Sequence, residues 1–325
     1  MKRAARLVLT HPFLVRAALS VMPRVTPIFM FHRFRDVEVG FSGGHDPQML
    51  RANLAWLRAR KFLILPLAEL VDRLAEGAPV KRAIAFTVDD GYGDFARVAA
   101  PVFAEFDCPV TVFLPTGFLD GQLWLWWDKV ALALTALKRE SEVLPTVEAL
   151  KLVPEEEKLK RIDALVQASG LELAQTPPPK YAPMTWDDVR RLSRSGVTFG
   201  PHSVTHPTLS QTRAEQLQFE ISESWRRVRA EAGAAGVPIF CYPNGDSSDF
   251  QTREENAAAA CGMRAALSAR PGYPTHRDFG AADPTARFRL PRFGYTADPA
   301  LFIQVATGIE WAKAGVRAAI GKAAP

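Results

Sequence analysis

Two adjacent carboxylates, Asp89 and Asp90, close the stretch Ala83-Ile84-Ala85-Phe86-Thr87-Val88, and Gly91 follows them. An apolar run of this length bounded by a glycine predicts a buried strand that ends at a site. Neighbouring acids at a buried strand end are costly, because each raises the other's pKa and burial raises both. A cation beside them removes that cost. Taken alone, Asp-Asp-Gly is more often an acidic turn. A later stretch changes the balance: Gly196-Val197-Thr198-Phe199-Gly200-Pro201 predicts a short strand that runs into His202-Ser203-Val204-Thr205-His206. Two imidazoles four apart at a strand end can meet on one side of a tight turn or of a first helical turn. Two His and one Asp, with a position left for water, is the ligand count of a catalytic divalent-metal site rather than of a closed structural one. A lone His is usually a satisfied core or surface residue; a pair drawn from only six, both next to one strand end, fits that bland account less well.

Thr87-Val88-Asp89-Asp90-Gly91 resembles the T-F-D-D-G motif of the polysaccharide deacetylases, the NodB-homology enzymes of carbohydrate esterase family 4. His202-Ser203-Val204-Thr205-His206 resembles their H-S/T-x-x-H motif, and the order and separation of the two also agree. The resemblance implies that Asp90, His202 and His206 hold a divalent metal, usually Zn²⁺, and that Asp89 is the general base. The family's late I/L-x-L-x-H motif, whose His is the general acid, has no counterpart near the C-terminus. Ile28-x-Met30-x-His32 fits it at the other end of the chain, as in circularly permuted relatives that begin with a Y-H-R-like strand. The resemblance therefore puts the acid on His32; the alternative is a histidine that caps a strand without a chemical role. Ile239-Phe240-Cys241-Tyr242-Pro243-Asn244-Gly245 resembles the third motif, R-x-P-Y, with a departure: aligned on Pro243, Cys241 stands in place of the arginine and Asn244 in place of the tyrosine. In the family that arginine orients the catalytic Asp. Arg292, which follows a predicted strand and Pro291, is the candidate to replace it, with Arg289 as rival and a surface salt bridge as the alternative for both. The backbone N–H after the Pro helps hold the oxyanion in the family, a role Asn244 can keep. His276, in a Pro/Gly-rich loop, is a candidate second and mobile acid.

The elements that must position these residues alternate between strand and helix. Asp46 and Pro47 predict a helix start, with Leu50, Leu54 and Leu57 on one face. Phe62-Leu63-Ile64-Leu65 predicts a strand, Leu67, Leu70, Val71 and Leu74 line a helix, residues 94–106 predict another, and Val110-Thr111-Val112-Phe113-Leu114 a further strand. This alternation implies parallel pairing and an α/β fold, and ligands at several strand ends on one face are what a (β/α) barrel provides. With the resemblance, the expected fold is a distorted (β/α)7-8 barrel of the NodB type with a helical insertion. The insertion spans about 118–183, entered through Leu123-Trp124-Leu125-Trp126-Trp127-Asp128. Trp124, Trp126 or Trp127 could line a sugar cleft, although anchoring the insertion accounts for most of them. Thr185 and Asp188 read as a helix N-cap and its N3 partner. A charged helix over 212–232, a strand at 264–268 and one at 288–293 follow. The chain divides into an N-terminal helical segment (1–25), a barrel domain (26–297) and a C-terminal helix (298–325).

Lys+Arg number 40 against 35 Asp+Glu, a net charge of +5 that suits an anionic glycan, an anionic membrane or nucleic acid without selecting among them. No basic run with interleaved aromatics is present, so nucleic acid is not an expected partner. Cys108, Cys241 and Cys261 have no metal-ligand spacing, and so odd and small a number suits a reducing compartment. Residues 1–25 lack a clean secretory h-region. Leu7, Leu9, Phe13, Leu14 and Ala17, with Arg3, Arg6 and Arg16 at the rim, instead predict an amphipathic helix that rests on an anionic membrane or packs on the domain. The expected location is the cytoplasm, including the inner face of the membrane, and the expected substrate an N-acetylated sugar of a polysaccharide, oligosaccharide or lipid-linked glycan. An O-acetyl esterase using the same site, and an inactive relative that binds glycan, are the alternatives.

Overall fold

A computed structural model describes residue 19 and residues 25–78, 81–121 and 123–313. The amphipathic segment expected before residue 19 lies outside the described residues, as does the end of the chain beyond 313. In chain order the barrel begins with β1 (Ile28–Phe31), α1 (Pro47–Ala59), β2 (Leu63–Ile64), α2 (Leu67–Ala75), β3 (Ala83–Val88), α3 (Ala100–Glu105) and β4 (Val110–Leu114). The insertion contributes α4 (Trp126–Ala136), α5 (Val143–Lys151) and α6 (Glu155–Ser169), with no strand among the described residues from 118 to 183 except an isolated bridge between Tyr92 and Pro183. Then come α7 (Trp186–Leu192), β5 (Val197–Pro201), α8 (Ala214–Ala232), β6 (Ile239–Cys241), α9 (Thr252–Ala260), β7 (Ala265–Leu267), β8 (Phe293–Gly294) and α10 (Pro299–Ala306).

Local chemistry accounts for the helix starts. The Asp46 side chain accepts the Gln48 N–H ahead of Pro47, and Thr185 and Asp188 form a reciprocal capping box at α7. The helix expected over 94–106 begins instead as a π-turn, Phe95–Ala99, because Pro101 has no N–H to give to the ladder and the Ala100 N–H reaches back to Phe95 O. The strand expected over 288–293 is displaced: residues 286–289 form a 3₁₀ turn and only Phe293–Gly294 pair as β8. α10 ends at Thr307 and Gly308, whose φ of 75° stops the helix before residues 309–313 resume it.

All strand pairs are parallel. β5, β4, β3, β1 and β8 lie side by side, and β2 pairs with the first residues of β3. β6 and β7 pair separately. Bridges from Phe199 to Gly236 and from Leu267 to Leu290 carry the neighbour order from β5 round to β6, β7 and the segment that leads into β8. The ring is a distorted barrel with core on both faces of the sheet. Ile28, Ala83, Ala85, Phe113, Ile239, Cys241, Ala265, Leu267 and Leu290 pack on one another inside it, while the intervening Phe29, Phe31, Ile84, Phe86, Val88, Val112 and Leu114 pack outward under the helices. The period of two along each strand generates both layers.

Candidate metal centre and active site

The same period places the site. Ile28, Met30 and His32 share one face of β1 and its continuation; Ala83, Ala85, Thr87 and Asp89 share one face of β3; Leu290 precedes Arg292 by two. Each series starts with an inner residue, so His32, Asp89 and Arg292 arrive at the mouth of the barrel beyond the C-terminal strand ends, where such folds carry their chemistry. Asp90 is the next residue, held at φ 71° with Gly91 at 63°. That left-handed turn aims its carboxylate at the end of β5.

There the five-residue His turn is held from below. The His202 N–H donates to Leu114 O, Ser203 O and Val204 O accept from the Thr116 and Gly117 N–H groups, and Ser203 Oγ accepts the His206 N–H. The buried Glu220 carboxylate, from α8, accepts the Val204 and Thr205 N–H groups at 2.6 and 2.9 Å and the Thr205 hydroxyl at 2.7 Å. Ser203 and His206 have φ of 66° and 57°, non-glycine left-handed conformations that persist only where surroundings enforce them. They bring the His202 and His206 Nε2 atoms to 3.5 and 3.4 Å from Asp90 Oδ1.

Asp90, His202 and His206 are all buried, and their donor atoms lie within 4.8 Å of one another. The His202 Nδ1–H donates to Cys241 O at 2.7 Å, which fixes the tautomer of the neutral ring and leaves the Nε2 lone pair on the side of Asp90, free to bind a cation. Burial depresses the His206 imidazole to about 4, so it is neutral at ordinary pH. Burial pushes the Asp90 carboxyl up, but its contacts with the two imidazoles outweigh that and keep it well below the carboxylate range. Two neutral-capable imidazoles and an anion converging in a buried pocket that opens to solvent fit a divalent cation.

Asp89 occupies a different environment. Arg292, 1% exposed, donates from Nη1 to Asp89 Oδ1 and from Nη2 to Asp89 Oδ2, each at 2.8 Å. The same guanidinium donates to Thr87 Oγ1 at 3.1 Å, Ser268 O at 2.9 Å and Cys241 Sγ at 3.1 Å. Burial raises the Asp89 pKa, and the arginine's charge and hydrogen bonds, together with the nearby His202 and His32, more than reverse the effect. Arg289 is elsewhere, bonded to Glu255, Asp283 and Thr285 on the outer side. His32 Nε2 lies 3.9 Å from Asp89 Oδ2 with its side chain 47% exposed. Asn244, at φ 62°, donates from Nδ2 to Thr208 Oγ1 and lines the same cavity.

That cavity measures about 430 Å³. It is lined by His32, Asp89, Asp90, His202, His206 and Asn244 together with Trp126, Trp127 and Asp128 of the insertion. Trp127 stands edge-on to His206 with ring centres 4.5 Å apart. Trp124 instead donates its indole N–H to Ala174 O and lines a neighbouring cavity of about 600 Å³. His276 is remote, its Nδ1 bonded to Leu74 O, so it is not a second acid at this cavity. Sequence reasoning missed Glu220 and Asp128. Glu220 shares the core-facing side of α8 with Leu217, Ile221 and Ser224, and a carboxylate on such a face was the available signal.

The polysaccharide deacetylase family profile matches residues 76–266. Among solved structures, the deacetylase PplD of Streptococcus pyogenes, in complex with acetate, is 17% identical with a TM-score of 0.57, covering 84% of this chain and 93% of its own. IcaB of Ammonifex degensii is 14% identical with a TM-score of 0.57, covering 88% and 98%. The deacetylase domain of BpsB from Bordetella bronchiseptica is 17% identical with a TM-score of 0.53, covering 85% and 99%. No curated protein matches the chain. These structures share the fold, a distorted (β/α)8 barrel, and the profile spans both the Asp-Asp and the His motifs: the chain belongs to the polysaccharide deacetylase family.

Proposed function

We propose that the chain is a metal-dependent hydrolase that removes the N-acetyl group from an N-acetylated sugar of a glycan, with Asp90, His202 and His206 as ligands of one divalent ion, Zn²⁺ being well suited to two imidazoles and a carboxylate with a position left for water. The observation that carries this reading is the pairing of two differently treated carboxylates: Asp90 faces the imidazoles and Asp89 faces Arg292. A divalent ion at this place supplies Lewis acidity and a lowered water pKa.

The chain's own residues supply the rest. Asp89, kept ionised by Arg292, accepts the proton of the attacking water. His32, exposed to the cavity, gives a proton to the departing amine nitrogen. The backbone N–H of Asn244 donates to the oxyanion. Trp126 and Trp127 wall the cavity and limit water around the acetamide. The binding-only alternative drew its support from the arginine missing at Cys241; Arg292 on Asp89 removes that support.

The test needs no knowledge of the substrate. Metal content is measured on purified wild type beside His202→Ala and Asp90→Ala. About one ion per chain, lost in both variants while circular dichroism is retained, is the expected result. A wild type that takes up no divalent metal even after supplementation overturns the hydrolase mechanism.

A further inference from the structure

The insertion adds a carboxylate that neither the metal ligands nor the base accounts for. Asp128, in the first turn of α4, is buried and lines the cavity of the metal centre. Its position is fixed by a chain of donors. The Tyr92 hydroxyl donates to Asp128 Oδ2 at 2.7 Å, and the Trp127 indole N–H donates to the Tyr92 oxygen at 3.0 Å. Tyr92 is itself held, with the Arg33 guanidinium 3.8 Å over its ring and Arg33 tied to Asp94 and Lys180 O. Among the described residues Oδ1 receives no hydrogen bond, so one acceptor oxygen of a rigidly mounted carboxylate is left for whatever fills the cavity. Mounting an acceptor this firmly is what recognition of a hydroxyl requires, since little freedom is lost when the ligand binds.

We propose that Asp128 is a recognition residue of this site, its Oδ1 accepting a hydrogen bond from a hydroxyl of the sugar ring that bears the acetamide. This rests on the deacetylase reading above and adds to it the part of the substrate that the insertion reads. The acetamide end is taken by the metal ligands, Asp89 and Asn244, which belong to the barrel. Asp128 is brought to the same cavity by α4, so its ligand is the adjoining ring and not the acetyl group. An aliphatic or aromatic acetyl ester carries no such hydroxyl.

The experiment compares zinc-loaded wild type, Asp128→Ala, Asp128→Asn and Tyr92→Phe on two probes: the N-acetylglucosamine trimer and 4-nitrophenyl acetate. A hydrogen bond to a carboxylate contributes enough that its loss reads as about 10- to 100-fold in kcat/KM. Asp128→Ala is expected to lose that much on the trimer, mainly through KM, and to stay within about twofold on the ester. Asp128→Asn is expected to fall between, and Tyr92→Phe to weaken the trimer selectively but less. Equal losses on both probes in Asp128→Ala and Asp128→Asn overturn the proposal, because they mark a residue that only holds the wall together. Unchanged trimer kinetics in Asp128→Ala overturn it as well and leave the deacetylase reading standing, whereas a wild type that cleaves the ester and ignores the trimer overturns both the proposal and the N-acetyl assignment. A zinc-loaded wild type that acts on neither probe overturns the deacetylase reading itself.

Discussion

Arg292 meets Asp89 through two parallel hydrogen bonds of 2.8 Å, and the guanidinium reaches it from the turn ahead of β8, past Cys241 Sγ at 3.1 Å. Cys241 is where the family's arginine stands in the linear motif. In space the guanidinium is still on the carboxylate, supplied by another segment of the ring. A cysteine at 241 leaves the volume that Arg292 fills; a second arginine there would meet the first in a buried pocket.

The pH dependence follows with a definite sign. Asp89 must be ionised to accept a proton, and Arg292 holds its pKa below the ordinary carboxylate value against the upward push of burial. Removing the guanidinium in Arg292→Met takes away the largest downward pull and leaves burial opposed only by His202 and His32. The acid limb of the kcat/KM–pH profile is therefore expected to move to higher pH, with about a 100-fold loss at neutral pH from misplacement of the base. Arg292→Lys keeps the charge without the fork and is expected to fall between. A profile whose acid limb stays in place shows that Asp89 is not the group it reports.

Stability gives an independent reading of the same pair. A carboxylate whose folded pKa is depressed contributes stability above its unfolded pKa, and that contribution is lost as pH falls through the folded value. Arg292→Met strands a buried charge at neutral pH, at a cost of about 3–5 kcal/mol. Toward acid pH Asp89 is protonated in the variant and the penalty shrinks. Denaturant titrations of both proteins at neutral and acid pH are expected to show the gap narrowing as pH falls; a gap constant with pH argues for a packing defect instead.

How much of this was legible in the chain depends on how local the cause was. The strand ends that carry Asp89, Asp90, His202 and His206 were readable because each follows an apolar run, and the inner face of the barrel follows from the period of two. Arg292 was the candidate from its place after a predicted strand and Pro291, with Arg289 as rival, but what separates the two in space is register. Leu290 bridges to Leu267 and turns position 292 inward, whereas Arg289 sits in the 3₁₀ turn and faces out. His276 looked mobile in a Pro/Gly-rich loop, yet its ring packs beside Gly77 with Nδ1 on Leu74 O. Glu220 offered one signal, a carboxylate on the core-facing side of α8, but its role and that of Asp128 could not be read because each acts through a partner distant in sequence: the 203–205 backbone in one case, Tyr92 in the other.

Glu220 gives a prediction about the metal without touching it. Its carboxylate satisfies two backbone N–H groups and a hydroxyl in the His turn, whose residues Ser203 and His206 are held at positive φ. Glu220→Ala releases those groups and lets the turn relax, which separates His202 from His206. Zinc affinity, measured by competition with a chromophoric chelator, is expected to fall about 10- to 100-fold, the usual penalty for losing an outer partner of metal ligands. Glu220→Gln retains one acceptor and is expected to lose less. An unchanged zinc affinity in Glu220→Ala would mean that the contacts with Leu114, Thr116 and Gly117 hold the turn unaided.

His32 separates the two acetyl chemistries open to this site. Its Nε2 is 3.9 Å from Asp89 Oδ2, near enough to the base for both to reach one tetrahedral centre, and its exposed side chain can exchange protons with solvent. An amine leaves an N-acetyl centre only when protonated, while an alkoxide is the easier leaving group and needs the proton less. His32→Asn is therefore expected to reduce acetate release from the N-acetylglucosamine trimer by about 100- to 10,000-fold, the range for a general acid. Hydrolysis of 4-nitrophenyl acetate, whose phenolate leaves unaided, should change by less than about tenfold. Equal and small losses on both probes would take the acid role from His32 and favour an O-acetyl ester as the substrate. Equal and large losses would place His32 in binding or in water activation. Only a loss confined to the amide matches a proton delivered to nitrogen.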